Sequence, residues 1–229
     1  MRPETRLGEP LAAGRTADIY PLPGARVLRR YRGALDARPE GRLLARLGRL
    51  GYPVPRVYPD AGPGVELGPG DLVLERLHGP TLAAAVLSGA VTPERTGAIL
   101  ARLLDQLHAL PGGLVHLDLH PENVLCTAGG PVVIDWANAG EGRPPGHDRA
   151  LSAVILAEAA VGPFPLGGQV LTALLRELTR DGRPAFDAAE LHWAAELRRA
   201  NPTLSEAEKV ALADALKLIT EATGNNPAR

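Results

Sequence analysis

Two residue types that govern much of protein chemistry are almost missing from this chain. It has one cysteine, Cys126, so it cannot form an internal disulfide, and nothing in the sequence indicates an oxidising compartment. Lysine occurs only at Lys209 and Lys217, so nearly all of the 25 basic residues are arginine. A permanently cationic side chain that binds an anionic ligand within the first 208 residues is therefore an arginine.

Long apolar runs and a strong charge imbalance are also missing. No apolar run approaches the roughly 20 residues that span a bilayer. The first 14 residues lack the apolar core of a signal peptide. The net charge of −1 argues against a general nucleic-acid-binding protein. We therefore expect a cytoplasmic protein that binds neither membranes nor nucleic acid.

The pattern of predicted elements divides the chain into two parts. Its 229 residues, 45% of them hydrophobic, can form one large domain or two small lobes. The first 75 residues indicate short strands and one helix over Pro39–Leu50, whereas the remainder is mostly helical. The change near residue 78 predicts an α+β fold with a small lobe over residues 1–77 and a larger lobe over residues 78–229.

Three polar residues stand out near a predicted β-hairpin. The segments Asn123–Cys126 and Pro131–Trp136, joined by a turn with two glycines, indicate paired strands. Asn123 would begin one strand and Asp135 would end its partner, and residues at the open end of a hairpin lie side by side. Asp118 lies in the loop before the hairpin. Carboxylate and amide oxygens at this density suit Mg²⁺.

The same stretch carries a family resemblance. The run from His116 to Asn123 resembles the catalytic loop H-x-D-x-x-x-x-N of kinases, and Asp135 resembles their metal-binding aspartate. With His120 in the loop and Ile-Asp-Trp in place of Asp-Phe-Gly, the chain resembles the aminoglycoside phosphotransferase and choline kinase-like family. The resemblance covers about residues 5–160. It implies a two-lobe protein kinase-like fold, with a small antiparallel sheet plus helix followed by a mostly helical lobe.

The resemblance also implies an activity and its residues. Asp118 would be the base or positioning group for a substrate hydroxyl, and Asn123 and Asp135 would hold Mg²⁺. His120 would contact the transferred phosphate, and Asp148 would anchor the loop. The implied reaction moves the γ-phosphate of ATP to a hydroxyl of a small molecule.

Five residues of the first lobe would bind the nucleotide on the same grounds. Gly14 lies in the implied nucleotide-covering loop, and Glu40 matches the acid that pairs with the phosphate-binding base. Glu75 and Leu77 lie in the implied hinge, whose backbone would form hydrogen bonds with adenine. Arg29 occupies the strand position where the family has its phosphate-binding lysine.

Arginine at position 29 leaves two functions open. Strand alternation puts Arg29 on one face and Arg30 on the other, so loss of Arg30 is expected to change little. An arginine can pair with Glu40 and hold phosphate, but it is wider than lysine and not equivalent to it. The chain is then either an active kinase or a nucleotide-binding pseudokinase that acts through a partner.

A more distant alternative is a zinc metallohydrolase. On a strand, His116, Asp118 and His120 would share one face and could ligate zinc. The proline that follows at position 121, together with Asn123 and Asp135, fits the kinase better.

Overall fold

The structure is a computed structural model that describes residues 7–14, 16–162, 164–201 and 205–223. It forms two compact units, one of residues 1–79 and 127–134 and the other of residues 80–126 and 135–229. In the described ranges, no helix is both long and apolar enough to cross a membrane. The strands are β1 (Ala12–Ala13), β2 (Ala17–Leu22), β3 (Arg26–Tyr31), β4 (Val57–Tyr58), β5 (Asp71–Glu75), β6 (Val124–Thr127) and β7 (Gly130–Val133). The helices are α1 (Arg38–Arg49), α2 (Leu82–Leu87), α3 (Pro93–His108), α4 (Pro145–Val161), α5 (Gly167–Leu178), α6 (Ala188–Arg199) and α7 (Glu206–Ala222).

The first unit contains an antiparallel sheet of five strands. Their order is β1-β2-β3-β5-β4, and β3 lies between β2 and β5 with Asp18 opposite Arg30. One face covers an apolar cluster of Leu22, Leu28, Ala61 and Val73. The sheet and its single long helix confirm the predicted antiparallel lobe.

Helix α1 packs closely on this sheet. Pro39 lies in its first turn, where the missing N–H has no intrahelical partner to lose. Leu44 and Leu47 are buried. A Cβ atom on Gly41 would lie 2.8 Å from Leu72 Cδ2, so α1 at Gly41 is in close contact with the Leu72 side chain of β5. The close packing buries Glu40 one residue earlier.

Arg30 has a structural partner, so its loss is expected to affect stability, whereas its small expected effect on nucleotide binding stays a prediction. Arg30 Nε and Nη2 each donate a 2.8 Å hydrogen bond to one oxygen of Asp71. The Asp71 side chain is 4% exposed, whereas the Arg30 side chain is 39% exposed. Sequence alternation places Arg30 on a face of the strand but does not reveal the carboxylate 41 residues away.

We expect Arg30→Ala to lower the free energy of unfolding by about 1–2 kcal/mol, because a buried carboxylate loses its charged partner. Asp71 would keep the hydrogen bond from the Gly68 N–H. Chemical denaturation measures the effect. Arg32→Ala is the matched control, since it breaks a more exposed pair with Asp18 and should leave the free energy of unfolding nearly unchanged. Equal losses for the two variants would contradict this assignment.

The second unit is mostly helical, as predicted. Helix α3 begins at the Thr92 cap, whose Oγ1 accepts a 3.2 Å hydrogen bond from the Arg95 N–H. The leucines at helical spacing along α3 are buried, namely Leu100, Leu103, Leu104 and Leu107. A Cβ atom on Gly97 would lie 2.5 Å from the Leu174 nitrogen, so α3 and α5 are in close contact. Helices α4–α7 complete the unit, in agreement with the prediction that the second part of the chain is mostly helical.

The structure differs from the sequence predictions at the hairpin. Strands β6 and β7 pair, but β6 begins one residue later than predicted and β7 is shorter, because it ends at Val133 and not at Trp136. Asn123 ends a 3-10 turn that begins at Pro121, because proline favours the first position of a helical turn. Asp135 follows β7 with a φ of 63°, so the chain leaves the strand before this residue. Helix α2 and strand β4 were not predicted.

Candidate active site

Asp148, in the first turn of α4, holds the segment that carries Asp118. Its fully buried carboxylate accepts hydrogen bonds from the backbone N–H groups of His116 (2.9 Å) and Leu117 (2.8 Å). Leu117 has a φ of 60°, a strained conformation for leucine that persists only when its surroundings hold it. These hydrogen bonds confirm that Asp148 anchors the loop.

Two buried histidines support the same segment. His108 Nε2 lies 3.0 Å from Asp148 Oδ2, and the His108 side chain is 4% exposed. The fully buried ring of His116 meets Trp136 edge to face, with ring centroids 4.5 Å apart. No local sequence pattern indicates the His108 contact, because its partner is 40 residues away and on another helix.

Asp118, His120 and Asn123 are brought together by this segment. Asn123 Nδ2 donates a 2.9 Å hydrogen bond to the Asp118 backbone carbonyl and a longer one, 3.4 Å, to Asp118 Oδ2. The same nitrogen lies 3.2 Å from His120 Nε2, which lies 3.7 Å from Asp118 Oδ1. Asn123 therefore fixes both the backbone and the side chain of Asp118.

The electrostatic surroundings of Asp118 are unusual for an aspartate. Burial raises the pKa of Asp118 to about 6, and the negative charge of Asp135 contributes in the same direction. The positive charge of Arg198 and the amides of Asn123 and Asn138 oppose this rise in pKa. At neutral pH the Asp118 carboxylate is mostly ionised, with a proton affinity well above that of an exposed aspartate.

His120 is neutral at physiological pH. Burial, together with the charges of His116 and Arg198, lowers the pKa of His120 to about 4. Its Nε2 faces the Asn123 amide nitrogen, which is a donor, so Nε2 accepts and the ring proton lies on Nδ1. His120 is thus a hydrogen-bonding group rather than a cation.

The donor set at this place suits Mg²⁺ better than zinc. The Asn123 amide nitrogen is bound to Asp118, which leaves its oxygen as the ligand atom. The repulsion between Asp118 and Asp135 is what a divalent cation relieves. Among the described residues, no three His, Cys, Asp or Glu side chains are grouped to hold a metal. Mg²⁺ needs only one or two carboxylates, with water and phosphate completing its shell.

The zinc alternative fails on backbone geometry. The stretch from His116 to His120 is not a strand, and the positive φ of Leu117 interrupts any alternation of side chains. His116 is packed against Trp136 and fully buried. The shared face that zinc binding requires does not form.

In the first unit, Arg29 pairs with Glu40 as expected. Arg29 Nη1 lies 2.8 Å from Glu40 Oε1, and these side chains are only 9% and 6% exposed. The Tyr31 hydroxyl donates a 2.5 Å hydrogen bond to Glu40 Oε2. Tyr31 was not among the predicted site residues, although alternation along β3 puts it on the face of Arg29.

The other predicted nucleotide-binding residues occupy turns and strand ends of the same unit. The Gly14 N–H donates a 2.8 Å hydrogen bond to the Ala17 carbonyl, and a Cβ atom on Gly14 would lie 3.1 Å from that oxygen. Glu75 ends β5, and its N–H donates to the Arg56 carbonyl at 2.8 Å. Leu77 follows the strand. Their roles toward a nucleotide stay predictions.

The fold is that of kinase-like phosphotransferases. The chain belongs to the phosphotransferase enzyme family (APH), whose model matches residues 8–112 and 94–194. A comparison with curated proteins finds no matching sequence. The family match confirms the predicted family and shows that the protein is an enzyme of the kinase type.

Solved structures show the same fold at low sequence identity. A thermostable mutant of aminoglycoside phosphotransferase APH(4)-Ia, in ternary complex with AMP-PNP and hygromycin B, is 17% identical, with 96% of this chain and 94% of that chain covered and a TM-score of 0.63. The apo form of a thermostable mutant of the same enzyme is also 17% identical, with 96% of this chain and 95% of that chain covered and a TM-score of 0.60. A choline/ethanolamine kinase family protein from Mesorhizobium loti is 16% identical, with 96% of this chain and 88% of that chain covered and a TM-score of 0.54. These likenesses confirm the predicted kinase-like fold.

Proposed function

We propose that the protein transfers the γ-phosphate of ATP to a hydroxyl group of a small molecule and requires Mg²⁺. The observation that carries this proposal is the state of Asp118. Its carboxylate is partly buried, is held by Asn123, and has a pKa raised to about 6. A general base works best when its pKa approaches the working pH.

Asp118 would act on the acceptor in two ways. Its carboxylate would accept a hydrogen bond from the substrate hydroxyl and so orient that oxygen for attack on the phosphate. As the new bond forms, the carboxylate would take the hydroxyl proton. The anchoring of the segment by Asp148 supports the proposal, because positioned groups must be rigid to be effective.

Asn123 and Asp135 would hold Mg²⁺ through the amide oxygen and the carboxylate. When bound, the metal neutralises charge on the ATP phosphates. His120, being neutral, would contact the transferred phosphate only as a hydrogen-bond donor. We therefore assign the larger electrostatic role to Asp135.

The first unit would contribute the nucleotide contacts. Arg29, oriented by Glu40, would bind phosphate, and the backbone of Leu77 would bind adenine. The N–H of Glu75 already donates to Arg56, so Leu77 has the more available backbone donor of the two. Gly14 would keep the loop between β1 and β2 tight enough to approach the nucleotide.

The acceptor is proposed to be a small molecule with a free hydroxyl. Two related structures support this class, since one contains hygromycin B and the other belongs to the choline/ethanolamine kinase family. The test is a screen of aminoglycosides, amino alcohols and sugars with ADP release as the readout. The Asp118→Asn variant serves as the blank. We expect at least one compound to raise ADP release with the wild-type protein only; equal release by the two proteins for every compound would contradict the proposal.

Arg29 supports a second candidate function, that of a nucleotide-binding pseudokinase. The specific observation in its favour is that arginine cannot simply replace lysine. Against it, Asp118, Asn123 and Asp135 are all present. A protein that binds MgATP but never releases ADP with any acceptor would fit this alternative.

We expect Arg29→Ala to weaken MgATP binding by about 10- to 100-fold, the effect of losing a charge-assisted contact. Isothermal titration calorimetry gives the dissociation constant. Arg32→Ala is the better control than Arg30→Ala, because Arg30 also stabilises Asp71. Unchanged affinity in a folded Arg29→Ala protein would remove Arg29 from the nucleotide site.

A further inference from the structure

Tyr31 forms a buried triad with Arg29 and Glu40. The two donors stand two residues apart on β3, so they share one face of the sheet. The Tyr31 hydroxyl donates to Glu40 Oε2 at 2.5 Å, while Arg29 Nη1 donates to Oε1 at 2.8 Å. The guanidinium carbon of Arg29 lies 4.6 Å from the centroid of the Tyr31 ring. All three residues are at least 92% buried, with Tyr31 only 4% exposed.

The hydroxyl of Tyr31 stabilises the carboxylate that pairs with Arg29, and its ring contacts the guanidinium of Arg29. A buried carboxylate is stabilised when both of its oxygens accept hydrogen bonds. Arg29 Nη1 donates to Glu40 Oε1, and the Tyr31 hydroxyl donates to Oε2. A guanidinium is planar and wide, so its direction depends on the tilt of its plane. An aromatic ring beneath the cation fixes that plane. An ammonium group has no plane to fix.

We infer that Tyr31 is a positioning residue that makes Arg29 effective in the phosphate-binding position where the family resemblance expects lysine. Its hydroxyl holds Glu40 in place, and its ring sets the plane of the guanidinium. Tyr31 itself does not contact the nucleotide. The inference rests on the proposed role of Arg29 in binding ATP.

Two substitutions separate the two contacts of Tyr31. Tyr31→Phe removes the hydrogen bond to Glu40 and keeps the ring, so MgATP affinity should fall by about tenfold. Tyr31→Leu also removes the ring and should cost at least a further threefold or so. Tyr20→Phe is the matched control, because it removes a hydroxyl from the neighbouring strand and should leave MgATP affinity unchanged.

A double-mutant cycle with Arg29→Lys tests whether the ring serves the arginine specifically. In that background, Tyr31→Phe and Tyr31→Leu should weaken MgATP binding to the same extent, because the additional loss from the ring is confined to the guanidinium. Thermal unfolding of each variant reports stability separately from affinity.

The outcomes are distinct. A loss of MgATP affinity in Tyr31→Phe without a loss of thermal stability supports the inference. This outcome can be measured even if Tyr31→Leu does not fold. Wild-type affinity in Tyr31→Phe, or a ring effect of equal size with arginine and with lysine at position 29, would overturn it. If the wild-type protein does not bind MgATP at all, the proposed function fails instead.

Discussion

Replacing Asp118 with asparagine is expected to remove phosphoryl transfer while nucleotide binding is retained. The amide keeps the shape of the side chain and can still contact Asn123, but it cannot accept the hydroxyl proton. The loss of turnover should be about 100-fold or more, as for a positioned acid–base group. Initial rates of ADP release with a saturating acceptor measure it, and calorimetry with MgATP measures binding in the same preparation.

Asp105→Asn provides the control for this substitution. Asp105 forms an ion pair with Arg149 at 2.9 Å, and its side chain is 56% exposed. Such a pair contributes little to stability, so this variant should retain wild-type turnover. Near-normal turnover in Asp118→Asn would show that Asp118 is not the catalytic residue.

Removal of the Asp135 carboxylate is expected to weaken MgATP binding more than removal of the Asn123 amide. A carboxylate neutralises part of the charge of a divalent cation, and an amide oxygen contributes only its dipole. We expect a loss of about tenfold or more for Asp135→Ala and a smaller loss for Asn123→Ala, by analogy with other charged and neutral polar contacts. Titrations of MgATP and of ATP without metal distinguish the metal contribution.

The two variants also separate metal binding from loop structure. Asn123 donates to the Asp118 backbone, so Asn123→Ala should slow transfer even at saturating MgATP. For Asp135→Ala, added Mg²⁺ should recover part of the affinity. Equal losses of affinity in both variants, or zinc bound to the purified protein in place of magnesium, would contradict the metal assignment.

The second-unit site could be predicted because its information is local in the sequence. Asp118, His120 and Asn123 lie within six consecutive residues, so their spacing constrains how they meet. The pairing of Arg29 with Glu40 was predictable from the family resemblance, which matches Glu40 with the acid that pairs with the phosphate-binding base, whereas strand alternation only separates Arg29 from Arg30. Helix α3 was also predictable from local signals, since Thr92 caps its start and leucines recur along it at helical spacing.

Residues that depend on long-range pairing escaped prediction. Arg30 meets Asp71 across neighbouring strands, and His108 meets Asp148 from another helix. Neither contact produces a helical or strand-like periodic pattern in the sequence, because the partners are 41 and 40 residues apart. The position of Asp135 after its strand depends on a left-handed backbone conformation, which is uncommon for residues other than glycine and which its sequence neighbours do not reveal.

Whether this protein uses ATP together with Mg²⁺ is tested by a calorimetric titration of the wild-type protein with ATP, in the presence of Mg²⁺ and again with Mg²⁺ chelated. An ATP-dependent phosphotransferase must first bind its nucleotide with the metal. We predict saturable binding of MgATP to a single site and markedly weaker binding of ATP alone. Absence of MgATP binding under conditions where the protein is folded would contradict both the enzyme and the nucleotide-dependent pseudokinase.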